Sequence, residues 1–236
     1  MIATTESLRE EPTGPEVSPP RPEWPLRTPR PALYTLADFD ALGSAEAVVD
    51  AVTAMAEAGV RWIQVRAKGV PGAKLLSTLD ECLERLDGSE ARLWVDDRVD
   101  LAALCPVAGV HLGQEDLPPV EARRLLGPQT WIGYSTHDLD QLVTADRDPA
   151  VDVIALGPIF ETQSKQRPDP VVGLDTLRRA RDQTSKPLVA IGGIDAGRLR
   201  SVLDTGVDAA VVLGAVCRGD VASNCKRLLA LAREVR

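Results

Sequence analysis

The chain has 236 residues, 44% hydrophobic and 26% charged, an ordinary globular balance for one large domain or two small ones. A formal net charge of −8 and an aromatic content of 3% exclude a general nucleic-acid binder, which needs a basic surface and stacking platforms. No apolar run is long enough to span a bilayer, and the opening residues lack the basic-then-apolar order of a secretory signal, so a cytoplasmic protein is expected.

Residues 1–30 are rich in Pro, Glu, Ser and Arg without an apolar period. Such a segment cannot bury enough surface to offset its ordering entropy, and it is predicted to be a disordered Pro-rich extension. Residues 31–236 read as one domain. Short β-rich runs at 32–36, 62–66, 93–96, 109–113, 131–135, 153–157, 188–193 and 209–214 alternate with stretches of helical spacing. The helical patterns cover 45–58, 73–86, 101–105, 119–126, 139–145, 174–184, 196–205 and 222–235. Gly59, Gly127 and Gly206 sit where helices should stop, and Asp138 and Asp195 where helices should be capped.

Strands separated by helices need crossover connections, which makes the sheet parallel. Eight such units in about 200 residues predict an α/β fold of the (β/α)8 TIM-barrel type, with a doubly wound open sheet as the alternative. Cys82, Cys105, Cys217 and Cys225 form no Cys-x-x-Cys pair and are expected to be reduced and buried.

In such a barrel the active site lies where the strands end. The second run exits through Gln64, Arg66 and Lys68, alternate residues on one side of a strand, where a guanidinium and an ammonium can grip phosphate. The third run ends in Asp96 and Asp97, and the fourth leads to Glu115 and Asp116. On neighbouring parallel strands Asp97 and Asp116 would emerge together and could hold Mg²⁺, which takes one or two carboxylates plus phosphate oxygens and water. Capping of the following turns is the other use for these two aspartates.

Ser135 is expected to hydrogen-bond a ligand rather than act as a nucleophile, since no base and orienting acid stand out beside it. His111, between Val110 and Leu112, reads as an interior histidine, and His137 as a turn or substrate contact. Thr162, Ser164 and Lys165 lie in a long loop that suits an oxyanion, and long loops at this face are often lids. Gly192 with Gly193, and Leu213 with Gly214, follow the last two runs, where backbone N–H groups can approach a phosphate.

Taken together, Gln64-Val-Arg-Ala-Lys68, Asp96-Asp-Arg98, Gly109-Val-His-Leu-Gly-Gln-Glu-Asp116, Gly133-Tyr-Ser-Thr-His137, Gly157-Pro-Ile-Phe-Glu-Thr-Gln-Ser-Lys165 and Ala190-Ile-Gly-Gly-Ile194 resemble the thiamine-phosphate synthases. The resemblance covers about residues 32–218. It implies a transferase that condenses hydroxymethylpyrimidine diphosphate with thiazole phosphate, or with its carboxylated form, giving thiamine phosphate and pyrophosphate. It implies catalytic roles for Arg66, Lys68 and Lys165, and pyrimidine-diphosphate contacts from Gln64, Arg66, Lys68, Asp96, Ser135 and Lys165. It places thiazole phosphate on Thr162, Ser164, Gly192, Leu213 and Gly214, and Mg²⁺ on Asp97 and Asp116. The partners are then small-molecule substrates, with no nucleic acid and no membrane; the sequence leaves a homo-oligomer open.

Four positions depart from the family pattern. Asp96 stands where Asn is usual, Ala67 where an acid is usual, Ser164 for Thr and Gly214 for Ser. A thiazole tautomerase on the same barrel is the alternative. It needs no metal and no diphosphate subsite, so Asp116 and Lys165 speak against it.

Overall fold

The computed structural model describes residues 33–162 and 169–235. The 1–30 extension, Ser164 and Lys165 lie outside the described residues. The strands are β1 (Leu33–Asp38), β2 (Trp62–Arg66), β3 (Arg92–Asp96), β4 (Gly109–Leu112), β5 (Trp131–Thr136), β6 (Val153–Leu156), β7 (Leu188–Ile191) and β8 (Ala209–Val212). They run parallel in sequence order, and β8 pairs with β1 through Leu33 and Ala210, closing the barrel. That closure decides against the open doubly wound sheet.

The helices are α1 (Phe39–Leu42), α2 (Ala45–Glu57), α3 (Gly72–Arg85), α4 (Val99–Ala102), α5 (Pro119–Leu126), α6 (Leu139–Arg147), α7 (Gly173–Arg181), α8 (Leu199–Leu203), α9 (Gly214–Cys217) and α10 (Val221–Arg233). Two single-turn helices, α1 and α9, have no counterpart in the periodicity, because four residues cannot display a helical period. Asp38 starts α1 by accepting from the Ala41 N–H at 2.9 Å. Asp138 caps α6 as expected, accepting from the Gln141 N–H at 2.8 Å.

Asp195 does not cap α8. Its carboxylate accepts from the Gly197 and Arg198 N–H groups, both at 3.0 Å, and this local turn delays the helix to Leu199. Gly59 and Gly206 follow their helices with φ of 97° and 86°, and Gly127 ends α5.

Apolar residues divide between two layers. Val48, Met55, Ile63, Val65, Leu79, Leu112 and Leu156 pack strands against the helices outside. Inside the barrel, β1 to β3 contribute Tyr34, Trp62 and Trp94, whereas β6 to β8 contribute Val153, Ala155, Val189, Ala209 and Val211. The ring centroids of Trp62 and Trp94 are 4.7 Å apart, and Tyr34 meets Trp62 edge-on at 5.5 Å. Gly109 is required beside them, since a Cβ there would lie 2.6 Å from the Trp94 ring. Bulky rings fill one half of the interior and small side chains leave room in the other.

The opposite end of the barrel is tied by two similar clamps. Asp152 accepts from the Ile132 N–H and from Arg123, and Asp208 accepts from the Leu188 N–H and from Arg181. All four cysteines are buried and unpaired. Among the described residues no helix is long and apolar enough to cross a membrane.

Candidate active site

The strand exits of β2 to β4 form a charged rim. Asp38 and Arg66 sit opposite each other in the β1–β2 register and form an ion pair; the same Asp38 carboxylate caps α1, so Arg66 is held by a group that is itself held. Asp96, at the end of β3, has Oδ2 3.7 Å from both Arg66 Nε and Lys68 Nζ. Lys68 pairs directly with Asp97. Burial opposes the charge on Arg66, yet the hydrogen bond it donates to Asp38 and the fields of Asp38, Asp96 and Asp40 raise its pKa. Lys68 is raised similarly against its own burial, by the Asp97 hydrogen bond and by Asp96, Asp97 and Asp116.

The backbone of Asp97 is unusual. Its φ is 61°, the one positive value outside glycine among the described residues. The Arg98 N–H returns to the Asp96 carbonyl at 2.7 Å across it, while the Asp97 N–H donates to the His111 carbonyl at 2.8 Å. A turn of this kind costs on the order of 1–3 kcal/mol and persists only where the surroundings enforce it. Here it swings the Asp97 carboxylate off the strand line toward β4. Asp97 therefore does not cap α4, which begins at Val99 with Arg98 in the capping position and no side-chain cap bond.

Asp116 arrives from the β4 exit and accepts from the Gly113 N–H at 2.7 Å, so it does organise its own turn. It also shares a hydrogen bond with Asp97. Burial and that shared bond raise its pKa. Asp96 is pushed up to about 7, first by burial and then by Asp97, with Lys68 and Arg66 pulling the other way.

Lys68 already offsets part of the negative charge where the Asp97 and Asp116 carboxyls meet. The donor set fits Mg²⁺, with the remaining positions left to phosphate and water. Among the described residues no cluster of three or more His, Cys, Asp or Glu could hold an ion by itself. Glu115 is exposed and takes no part.

The other half of the mouth is a cavity of about 490 Å³. It opens where the β6 to β8 interior is small: Ala155, Gly157, Ile191 and Val211 form its wall, and Thr162, Gly192, Gly193, Leu213 and Gly214 its margin. Arg66 and Ser135 also face it, which joins the cavity to the charged rim. Gln64 lies deeper, 3% exposed, on the inward side of β2. Of the residues singled out from sequence, Gln64, Arg66, Lys68, Asp96, Asp97, Asp116, Ser135, Thr162, Gly192, Leu213 and Gly214 all fall at this mouth; Ser164 and Lys165 lie outside the described residues.

Ser135 does have a base beside it. His111 Nε2 is 3.0 Å from Ser135 Oγ, and Gln114 Nε2 donates to the Ser135 carbonyl at 2.5 Å. The signal was in the alternation: Val110 and Leu112 are fully buried in the outer layer, so His111 between them must face inward. His137 is fixed by the Gly157 carbonyl at 2.6 Å from Nδ1 and lies 3.5 Å from Asp169, so it serves the loop at the rim. The β-rich pattern of the first run stops at Leu36, two residues short of the strand exit, so the sequence does not mark Asp38. Arg198 and Arg218 also line the cavity margin, and no local sequence signal marks them.

Residues 33–216 match the sequence model of the thiamine monophosphate synthases. The thiamine-phosphate synthase of Koribacter versatilis is 45% identical over 186 residues, 78% of this chain and 87% of that protein. That of Albidiferax ferrireducens is 38% identical over 185 residues, 78% of this chain and 84% of that protein. Among solved structures, the thiamine phosphate pyrophosphorylase from Pyrococcus furiosus superposes with a TM-score of 0.78 at 31% identity, covering 87% of this chain and 98% of that one.

Proposed function

Because this chain belongs to the thiamine monophosphate synthase family, we propose that its charged rim binds the pyrimidine diphosphate and its cavity the thiazole phosphate. The protein condenses hydroxymethylpyrimidine diphosphate with thiazole phosphate to give thiamine phosphate and pyrophosphate. The observation that carries the placement is the convergence of Arg66, Lys68, Asp97 and Asp116 on one rim, next to a cavity with glycine margins.

The charge at the rim explains why a metal belongs in this reading. Arg66 and Lys68 meet Asp38, Asp40, Asp96, Asp97 and Asp116, so the acids outnumber the cations among the described residues. A diphosphate would be repelled unless a cation joined it. Asp97 and Asp116 would hold Mg²⁺, which when bound neutralises the departing diphosphate.

Arg66, oriented by Asp38, and Lys68 would contact the diphosphate oxygens, and Lys165 would join them as the family resemblance implies. Gln64 and Ser135 would hydrogen-bond the pyrimidine ring beneath, with the His111 imidazole orienting the Ser135 hydroxyl. The carbon–oxygen bond to the diphosphate breaks with its electron pair leaving on oxygen. The thiazole nitrogen then supplies the pair that forms the new carbon–nitrogen bond. No protein nucleophile is needed, and the site's resources go to stabilising the leaving group.

The test is to combine both precursors with Mg²⁺ and follow thiamine phosphate and pyrophosphate. The two products are expected in equal amounts, with turnover stopping on chelation. Absence of both products would sink the reading; undiminished turnover in chelator would remove the metal from it.

A further inference from the structure

We propose that Arg218 binds the phosphate of the thiazole substrate and makes the enzyme select the phosphorylated thiazole over its free alcohol. The inference rests on the cavity being the thiazole subsite and adds a residue to it.

Arg218 ends α9, directly after the β8 exit, and its side chain faces the cavity. Its backbone is held in place: Asn224 Nδ2, from α10, donates to the Arg218 carbonyl at 2.7 Å and to the Val216 carbonyl at 3.1 Å. The guanidinium lies over Gly214. A Cβ built on that glycine would stand 3.9 Å from Arg218 Cζ and Nη2, ordinary contact distance, so the planar group covers a stretch of backbone that carries no side chain.

Among the described residues, the other arginines near the mouth are engaged. Arg66 pairs with Asp38, Arg98 with Asp100, and Arg198 donates to the Gly193 carbonyl at 2.8 Å while stacking on Phe160. The Arg218 guanidinium makes no hydrogen bond or ion pair among the described residues. In a chain with 35 acidic and 27 basic side chains, this exposed guanidinium, with no carboxylate partner among the described residues and at the edge of a cavity, is available to an anion that arrives from outside.

Two carboxylates also face this cavity, Asp195 and Glu161. Asp195 is committed to the Gly197 and Arg198 N–H groups. Glu161 adds a repulsion that a dianionic ligand must overcome, which sharpens the need for a cation opposite. A guanidinium can take two phosphate oxygens at once, and charge-assisted bonds of this kind are the strong ones.

The test compares wild type with Arg218→Ala and with Arg218→Gln, which keeps side-chain length and loses the charge. Steady-state kinetics are run against each substrate, with inorganic phosphate as inhibitor. KM for thiazole phosphate should rise about tenfold or more. KM for the pyrimidine diphosphate and kcat should stay within about twofold, the span expected where no charged contact is lost. The inhibition constant of phosphate against thiazole phosphate should rise by the same factor as KM, and the preference over the unphosphorylated thiazole should fall with it. A wild-type protein that makes no thiamine phosphate would overturn the functional reading itself. An active wild type whose variants keep the thiazole-phosphate KM, or lose affinity for both substrates alike, would overturn this inference alone.

Discussion

Asp96 is largely buried between Arg66 and Lys68 and beside Asp97. With its pKa raised to about 7 by burial and by Asp97, the folded protein binds a proton that the unfolded chain releases near pH 4. The stability linked to this group is therefore present below the unfolded pKa and lost as pH rises toward 7. In the ligand-free, metal-free protein at pH 8, Asp96→Asn should raise stability by on the order of 1–3 kcal/mol, and the gain should vanish near pH 4. Thermal melting across pH reads this directly, and a lower melting temperature for the variant at pH 8 would refute it. Turnover should be unchanged or improved, because one carboxylate fewer faces the diphosphate.

Asp97 has the opposite standing, since its strained turn serves to deliver the carboxylate to Asp116. Asp97→Ala should lower turnover about tenfold or more, at least about 1.4 kcal/mol of barrier, even though it also removes the partner of Lys68 and relieves the repulsion on Asp96 and Asp116. A wild-type rate in that variant would place the metal elsewhere. Both aspartates could be picked out from the sequence because carboxylates at neighbouring strand exits stand out. The φ of 61° at Asp97 could not, since Asp occupies both ordinary and left-handed backbone.

At the scale of elements, the β7 exit is the least tolerant part of the mouth. Gly192 has φ of 104°, and a Cβ there would sit 2.5 Å from the Pro158 Cα and Cβ. Neither the backbone angle nor the space permits a side chain. Gly192→Ala should destabilise the protein by about 2 kcal/mol, lowering its melting temperature by roughly 4–8 °C, and should weaken thiazole-phosphate binding as the β6 and β7 loops part. Retention of both properties would show that the loops shift freely. The Gly-Gly pair announced a close approach in sequence, whereas its partner, the segment from Pro158 to Glu161, is about 30 residues earlier and emerged only on folding. Similarly, Asp195 carried a capping signal that the chain used for a turn before α8, because two nearby N–H groups compete for one carboxylate.

For the molecule as a whole, the site follows from an uneven filling of the barrel. Tyr34, Trp62 and Trp94 block the interior beneath β1 to β3, and alanine, valine and glycine leave it open beneath β6 to β8. The blocked half supports the charged rim and the open half is the cavity. Trp94, 1% exposed, is the largest fully buried side chain among the described residues. Trp94→Ala should cost about 3–5 kcal/mol in denaturant unfolding. It should also impair the diphosphate half of the site more than the thiazole half, because Gln64 and Asp96 stand on the aromatic floor. A loss below about 1 kcal/mol would mean that the interior collapses onto the space without penalty.

Strand and helix periods, glycine stops and the order of polar exits determined the barrel and the identity of most residues at its mouth, since these depend on spacing along the chain. Tertiary structure alone decided which charges pair. Asp38 steadies Arg66, Lys68 meets Asp97, and His111 meets Ser135, because each pair joins different strands at a register that closure of the barrel sets. It also decided where the cavity lies, since a void reflects the sizes of side chains from strands far apart in sequence, and no local pattern records their sum.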